Sequence, residues 1–101
     1  MMIDLTLLAD VKNYLNITWD DEATDNKISS LIALGQEYLN DKGGAELDYL
    51  AAGYPRLLLF DFVRYARDEA LDVFENNYRS YILAMQNQRW VADYVESAEQ
   101  T

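Results

Sequence analysis

The chain has 101 residues, 50% of them apolar, and a formal net charge of −10 from 18 acidic and 8 basic side chains. It contains neither cysteine nor histidine, which excludes disulfides, thiolate nucleophiles, the usual general base and the commonest metal ligand. This composition predicts one soluble globular domain spanning residues 1–101, argues against an enzyme or a cofactor, and disfavours binding to nucleic-acid phosphates.

The apolar segments are too short to cross a membrane. The longest one surrounds residues 57–59 and is interrupted by Asp61 and Arg64, far short of the roughly 20 residues that a span requires. The N-terminal segment carries acidic residues and lacks the basic region of a signal peptide. We therefore expect no membrane contact and synthesis in the cytoplasm.

Two helices are predicted in the N-terminal half. Thr6 is the predicted cap of a first helix that ends near Leu15. The acidic residues at 20–25 suit the positive N-terminus of a second helix, which ends near Asn40, and they lack the glycine and glutamate pattern of a calcium loop. Gly35 within this helix indicates that another helix approaches closely. The apolar stripe of the second helix reads Ile28, Leu31, Ile32, Gly35 and Leu39, with Tyr38 at its edge.

The most unusual segment is YPRLLLFDFVRYARDEALDVF at 54–74, because its first half is apolar on every side of the helix it would form. Such a helix must be covered from several directions. We expect an all-α fold, a small bundle of about four helices with this apolar third helix at its centre. In this interpretation a neighbouring copy of the protein completes the burial. The helix starts at Pro55 and continues past Ala70, and residues 45–53 before it are predicted to form one loose helical turn.

A fourth helix is predicted at about 78–95. Asn76 and Asn77 precede it and indicate a break, because asparagine side chains compete for backbone hydrogen bonds. The helix has apolar residues on two sides, and the acidic tail at 96–101 is predicted to fray. The first side comprises Tyr78, Tyr81, Ile82, Met85 and Ala92, and the second comprises Leu83, Trp90 and Tyr94.

The order of these elements resembles the head-to-tail connector, or adaptor, proteins of tailed bacteriophages. The segments LTLLADVKNYLNI, ISSLIALGQEYLNDKGG and YPRLLLFDFVRYARDEALDVFENNY carry the resemblance, which spans about residues 3–80. It implies a structural virion protein that forms a closed ring of about twelve copies in the neck of the virion, after synthesis in the host cytoplasm. It also implies contacts with the portal protein and with the next connector or a tail completion protein, and passage of DNA through the ring.

Two groups of residues are candidates for these contacts. Leu58, Phe60 and Tyr65 are predicted to lie on the outer sides of the third helix and to form the lateral contact between copies. The resemblance places a portal contact in the C-terminal region, where the candidates for a portal or tail contact are Leu83, Trp90 and Tyr94.

An alternative function is that of a small acidic DNA mimic, which would inhibit a host nucleic-acid-binding protein. A mimic should concentrate its carboxylates along one surface, whereas this chain spreads Asp and Glu over all its segments. The carboxylates at 68–75 lack the histidines of a di-metal site. We therefore expect no catalytic, cofactor-binding or metal site.

Overall fold

The computed structural model describes the backbone of residues 5–99 and the side chains of residues 5–90, and within these ranges the fold is all-helical. The five helices are α1 (Leu5–Tyr14), α2 (Glu22–Gly43), α3 (Tyr54–Arg67), α4 (Leu71–Asn77) and α5 (Arg79–Glu99). The all-α prediction is confirmed, while the predicted count of about four helices is one short. None of these helices combines the length and the apolar character that a membrane span requires.

The acidic residues before α2 cap it, as predicted. The carboxylate of Asp21 accepts hydrogen bonds from the backbone N–H of Thr24 at 3.2 Å and from its hydroxyl at 2.8 Å. At the other end Gly44 has a φ of 75°, a left-handed conformation that glycine adopts without strain. Thr6, by contrast, lies inside α1, so its predicted capping role is wrong.

The connection between α2 and α3 contains no helical turn, contrary to the prediction. Side chains hold it instead. The side-chain oxygen of Asn40 accepts hydrogen bonds from the Tyr49 hydroxyl at 2.6 Å and from the backbone N–H of Leu47 at 3.0 Å. Arg56 donates to the backbone carbonyl of Tyr49 at 3.2 Å. These bonds tie the connection to the end of α2 and the start of α3.

Helix α3 lies at the centre of the fold, as predicted. The six consecutive residues 58–63 are all buried, and six residues at 100° intervals surround a helix completely. Their cover comes from the chain itself, because α3 contacts each of the other four helices. The expectation that a neighbouring copy completes the burial of this helix is therefore wrong.

Helix α3 ends earlier than predicted. Glu69 has a φ of 58°, and the backbone N–H of Ala70 donates to the carbonyl of Tyr65 at 2.8 Å. This left-handed turn redirects the chain, so that α4 packs back onto α3. The predicted break at Asn76 and Asn77 is confirmed, since α4 ends at Asn77 and α5 begins at Arg79.

The close approach predicted at Gly35 is present. A Cβ atom at this position would lie 2.7 Å from Leu59 Cδ1 and 2.8 Å from Phe62 Cδ1. Leu59 is fully buried and Phe62 is nearly so, which restricts the room for either side chain to move aside.

Substituting Gly35 by alanine is therefore expected to destabilise the protein. Overpacking of this kind costs about 1–3 kcal/mol, and the better helix propensity of alanine offsets about 1 kcal/mol of it. Urea unfolding would measure the loss, with Ser30→Ala at an exposed position of the same helix as the matched control. A Gly35→Ala variant more stable than the wild type would contradict the close packing.

Candidate functional site

The structure changes the assignment of the residues predicted for lateral contact. Leu58 is fully buried and Phe60 is 8% exposed, so neither lies on an outer side of α3 and that prediction is wrong. The ring of Phe60 is covered by Tyr14, at 5.4 Å between ring centroids, and by the guanidinium of Arg56, at 4.5 Å from its centroid. Tyr65 is partly buried and packs against aromatic rings of the α4 region.

Helix α5 leaves the body of the protein after Gln86. Ile82 and Met85 are buried, and the side-chain amide of Gln86 donates to the carbonyl of Lys42 at 2.9 Å. The next four residues, 87–90, are all exposed, and four residues at 100° intervals cover a full helical turn. This turn is therefore uncovered on every side. The backbone stays helical to Glu99, so the helix from residue 87 onward is about 20 Å long. We call residues 87–99 the distal part of α5.

The residues predicted for a portal or tail contact lie along this helix. Trp90 is 71% exposed and Leu83 is 52% exposed, which leaves both accessible to a partner. Tyr94 belongs to α5 but lies outside the residues whose side chains are described. The contact role of all three residues stays a prediction.

A groove of two adjoining cavities lies between α2 on one side and α4 with the first half of α5 on the other, and the hydrogen bond that the Tyr38 hydroxyl donates to the Glu75 carboxylate at 3.4 Å crosses it between them. One end has a volume of about 260 Å³ and the other about 170 Å³, and Tyr38 and Glu75 line both ends. Leu34 and Leu83, which are 48% and 52% exposed, stand at opposite ends. Sequence reasoning missed this groove, because it assigned Tyr38 to the edge of a buried stripe. We call it the α2–α5 groove, and its main lining residues are Leu34, Tyr38, Phe62, Leu71, Glu75 and Leu83.

The buried charged groups have structural partners. Lys12 Nζ lies 2.7 Å from Asp25 Oδ1 and 3.2 Å from Asp20 Oδ1, and the interaction of its ammonium group with the Asp25 carboxylate is the main cause that raises the pKa of Lys12. These pairs join α1 to the start of α2.

Asp61 forms the second network of this kind. Its buried carboxylate accepts a hydrogen bond from the hydroxyl of Tyr14 and lies 3.4 Å from Arg64 Nε. Arg64 also donates to the hydroxyl of Tyr78 at 3.2 Å. The network therefore joins α1, α3 and the junction between α4 and α5.

Tyrosine ionisation is expected to weaken the fold at alkaline pH. Burial raises the pKa of Tyr14, Tyr38 and Tyr49, and raises the pKa of Tyr78 to about 12. An unfolded tyrosine ionises near pH 10. The unfolded chain therefore binds fewer protons than the folded chain above that pH, and the free energy of unfolding falls as the pH rises from about 10 to 12.

Urea unfolding at several pH values would measure this fall. Tyr78→Phe removes one of the ionising groups and should make the fall shallower. Stability that stays constant up to about pH 12 would contradict the assignment of these buried hydroxyls.

The exposed turn at 87–90 and the α2–α5 groove are two candidate surfaces for a partner. Within residues 5–90 no three acidic side chains converge in a way that could hold a metal ion. Comparison of the chain with protein-family models, with curated proteins and with solved structures finds no match.

Proposed function

We propose that this chain is a head-to-tail connector of a tailed bacteriophage, a structural protein that forms a ring between portal and tail through which DNA passes. The observation that carries the proposal is the exposed turn of α5 around Trp90. Tryptophan is enriched in protein interfaces, where its large ring buries much apolar area. A helical segment that carries an exposed tryptophan away from the body is suited to contact another protein.

The charge of the chain fits the passage of DNA. With a net charge of −10, the surface repels a phosphate backbone instead of holding it. A ring of about twelve such subunits would multiply this effect around its channel. The proposed partners are further copies of the chain, the portal protein, and the next connector or a tail completion protein.

The pairing of the acidic side chains supports a connector over a DNA mimic. A mimic needs free carboxylates to stand in for phosphates. Here Asp10 lies 2.9 Å from Arg56 Nη2, Asp20 and Asp25 pair with Lys12, and Asp61 is buried. These four of the 18 acidic side chains are thus committed to cations of the same chain, and the others are spread over all segments of the sequence.

Binding to the portal tests the proposal. The purified protein would be mixed with portal rings from the phage whose genome encodes it, and the mixture sedimented. We expect the chain to sediment with the portal and to saturate at a fixed number of copies per ring. Electron microscopy of the pellet should show an added layer beneath the portal. Failure to bind the portal at any concentration would contradict the proposal.

A further inference from the structure

A side-chain hydrogen bond of Gln86 lies at the point where α5 leaves the body of the protein. Gln86 immediately precedes the turn at 87–90, whose residues are all exposed, and its side-chain amide donates to the backbone carbonyl of Lys42 at 2.9 Å. Resting on the proposed function, we propose that Gln86 is a positioning residue for the partner contact. Its bond to α2 sets the direction in which the distal part of α5 presents Trp90.

The acceptor of this bond is well placed to hold a donor. Lys42 lies in the last turn of α2, where the helix itself provides no partner for its backbone carbonyls. The helix dipole also makes this end negative, which favours a donor group there. The glutamine amide therefore satisfies a carbonyl of α2 with a directional bond, and this bond joins residues 44 positions apart in the chain.

Packing leaves the spacing between α2 and α5 partly open. The smaller cavity of the α2–α5 groove, with a volume of about 170 Å³, lies between the two helices, and its lining includes Tyr38, Lys42, Ile82 and Gln86. Ile82 and Met85 are buried, but apolar contacts are not directional, and the unbranched methionine side chain adapts to small shifts. The bond from Gln86 to Lys42 is a direct polar link between the helices at this cavity.

A small tilt of the helix at residue 86 is amplified along the distal part of α5. The rise of about 1.5 Å per residue places residue 97 about 16 Å beyond Gln86, so a tilt of about 15° moves it by about 4 Å. A well-packed interface requires close shape complementarity, which a shift of this size would disrupt. A helix held in one direction also loses less freedom on binding than a swinging one. Restraint at Gln86 therefore favours the contact proposed for Trp90.

Substitutions at two glutamines of α5 test the inference. Gln86→Met retains the length and the helix propensity of the side chain and removes its donor. Gln88→Met, at an exposed position two residues later, is the matched control. Gln86→Lys restores a donor of a kind that suits the C-terminal end of a helix. Circular dichroism would check that all three variants keep the helical fold.

The direction of α5 would be measured as a distance between two spin labels. The chain contains no cysteine, so Ser30→Cys and Ser97→Cys provide unique labelling sites on α2 and on the distal part of α5. Pulsed electron paramagnetic resonance gives the distribution of this distance. We expect a narrow distribution in the doubly labelled parent, in Gln88→Met and in Gln86→Lys. In Gln86→Met the distribution should shift or broaden by about 4 Å.

Portal binding by the unlabelled variants provides a second readout. We expect Gln86→Met to bind portal rings about fivefold more weakly than the wild type, the equilibrium effect of losing one typical hydrogen bond, while Gln88→Met and Gln86→Lys bind as the wild type does.

The contrary results are distinct. Equal distance distributions in Gln86→Met and Gln88→Met, or a Gln86→Lys variant that behaves like Gln86→Met, would overturn the inference. A wild type that fails to bind the portal would contradict the proposed function, and the measured distances would still decide whether Gln86 directs α5.

Discussion

Replacing Phe74 by alanine is expected to lower the free energy of unfolding by about 3–5 kcal/mol, the usual cost of truncating a buried phenylalanine. Phe74 is 1% exposed, although it belongs to the short helix α4. Its ring packs against the rings of Phe62 and Tyr78, at centroid distances of 5.5 Å and 4.9 Å. The loss would be a large share of the roughly 5–15 kcal/mol that stabilises a typical domain.

Urea unfolding followed by circular dichroism would measure this loss. Val73→Ala is the matched control, because Val73 is the neighbouring residue and is 43% exposed. Equal losses in the two variants would show that Phe74 does not hold α4 on the core.

Leu59→Ala is expected to cost about 2–5 kcal/mol, because it opens a cavity at the contact between α2 and α3. Leu59 is fully buried, and its Cδ1 atom occupies the space that a Cβ on residue 35 would need. Its removal therefore also frees room beside Gly35.

The effects of Leu59→Ala and Gly35→Ala on the free energy of unfolding should not be additive. In the Leu59→Ala background, Gly35→Ala is expected to cost less stability than in the wild type, because the close contact with Leu59 is gone and only that with Phe62 remains. A double-mutant cycle by urea unfolding would measure this coupling. Equal effects of Gly35→Ala in the two backgrounds would contradict the direct packing of α3 against Gly35.

Helices could be predicted from the sequence where apolar periodicity and capping residues mark them. The stripe of α2, its cap and the central position of α3 all follow from local patterns of apolar residues, acidic residues and glycine. The end of α3 could not be found in the same way, because Glu69 adopts a left-handed conformation that is usually marked by glycine or asparagine. The turn brings α4 back onto α3, a contact between helices that local sequence patterns do not reveal.

The candidate site was harder to predict for a related reason. An all-round apolar helix indicates complete burial but does not say whether one chain or two provide the cover, and α3 turns out to be covered by its own chain. Trp90 was predicted as a contact residue on the second apolar side of its helix, and its side chain is 71% exposed. The α2–α5 groove depends on residues from four helices, and their spacing along the chain gives no signal of it.

The location of this protein after infection tests the connector account most directly. On this account a tailed phage encodes the chain, and its purified virions would be analysed by mass spectrometry and labelled with an antibody against this chain for electron microscopy. The account predicts a small fixed number of copies in each virion and label confined to the neck, between the head and the tail. A chain that is abundant in infected cells but absent from virions would contradict the account and would direct attention to an inhibitor of a host nucleic-acid-binding protein.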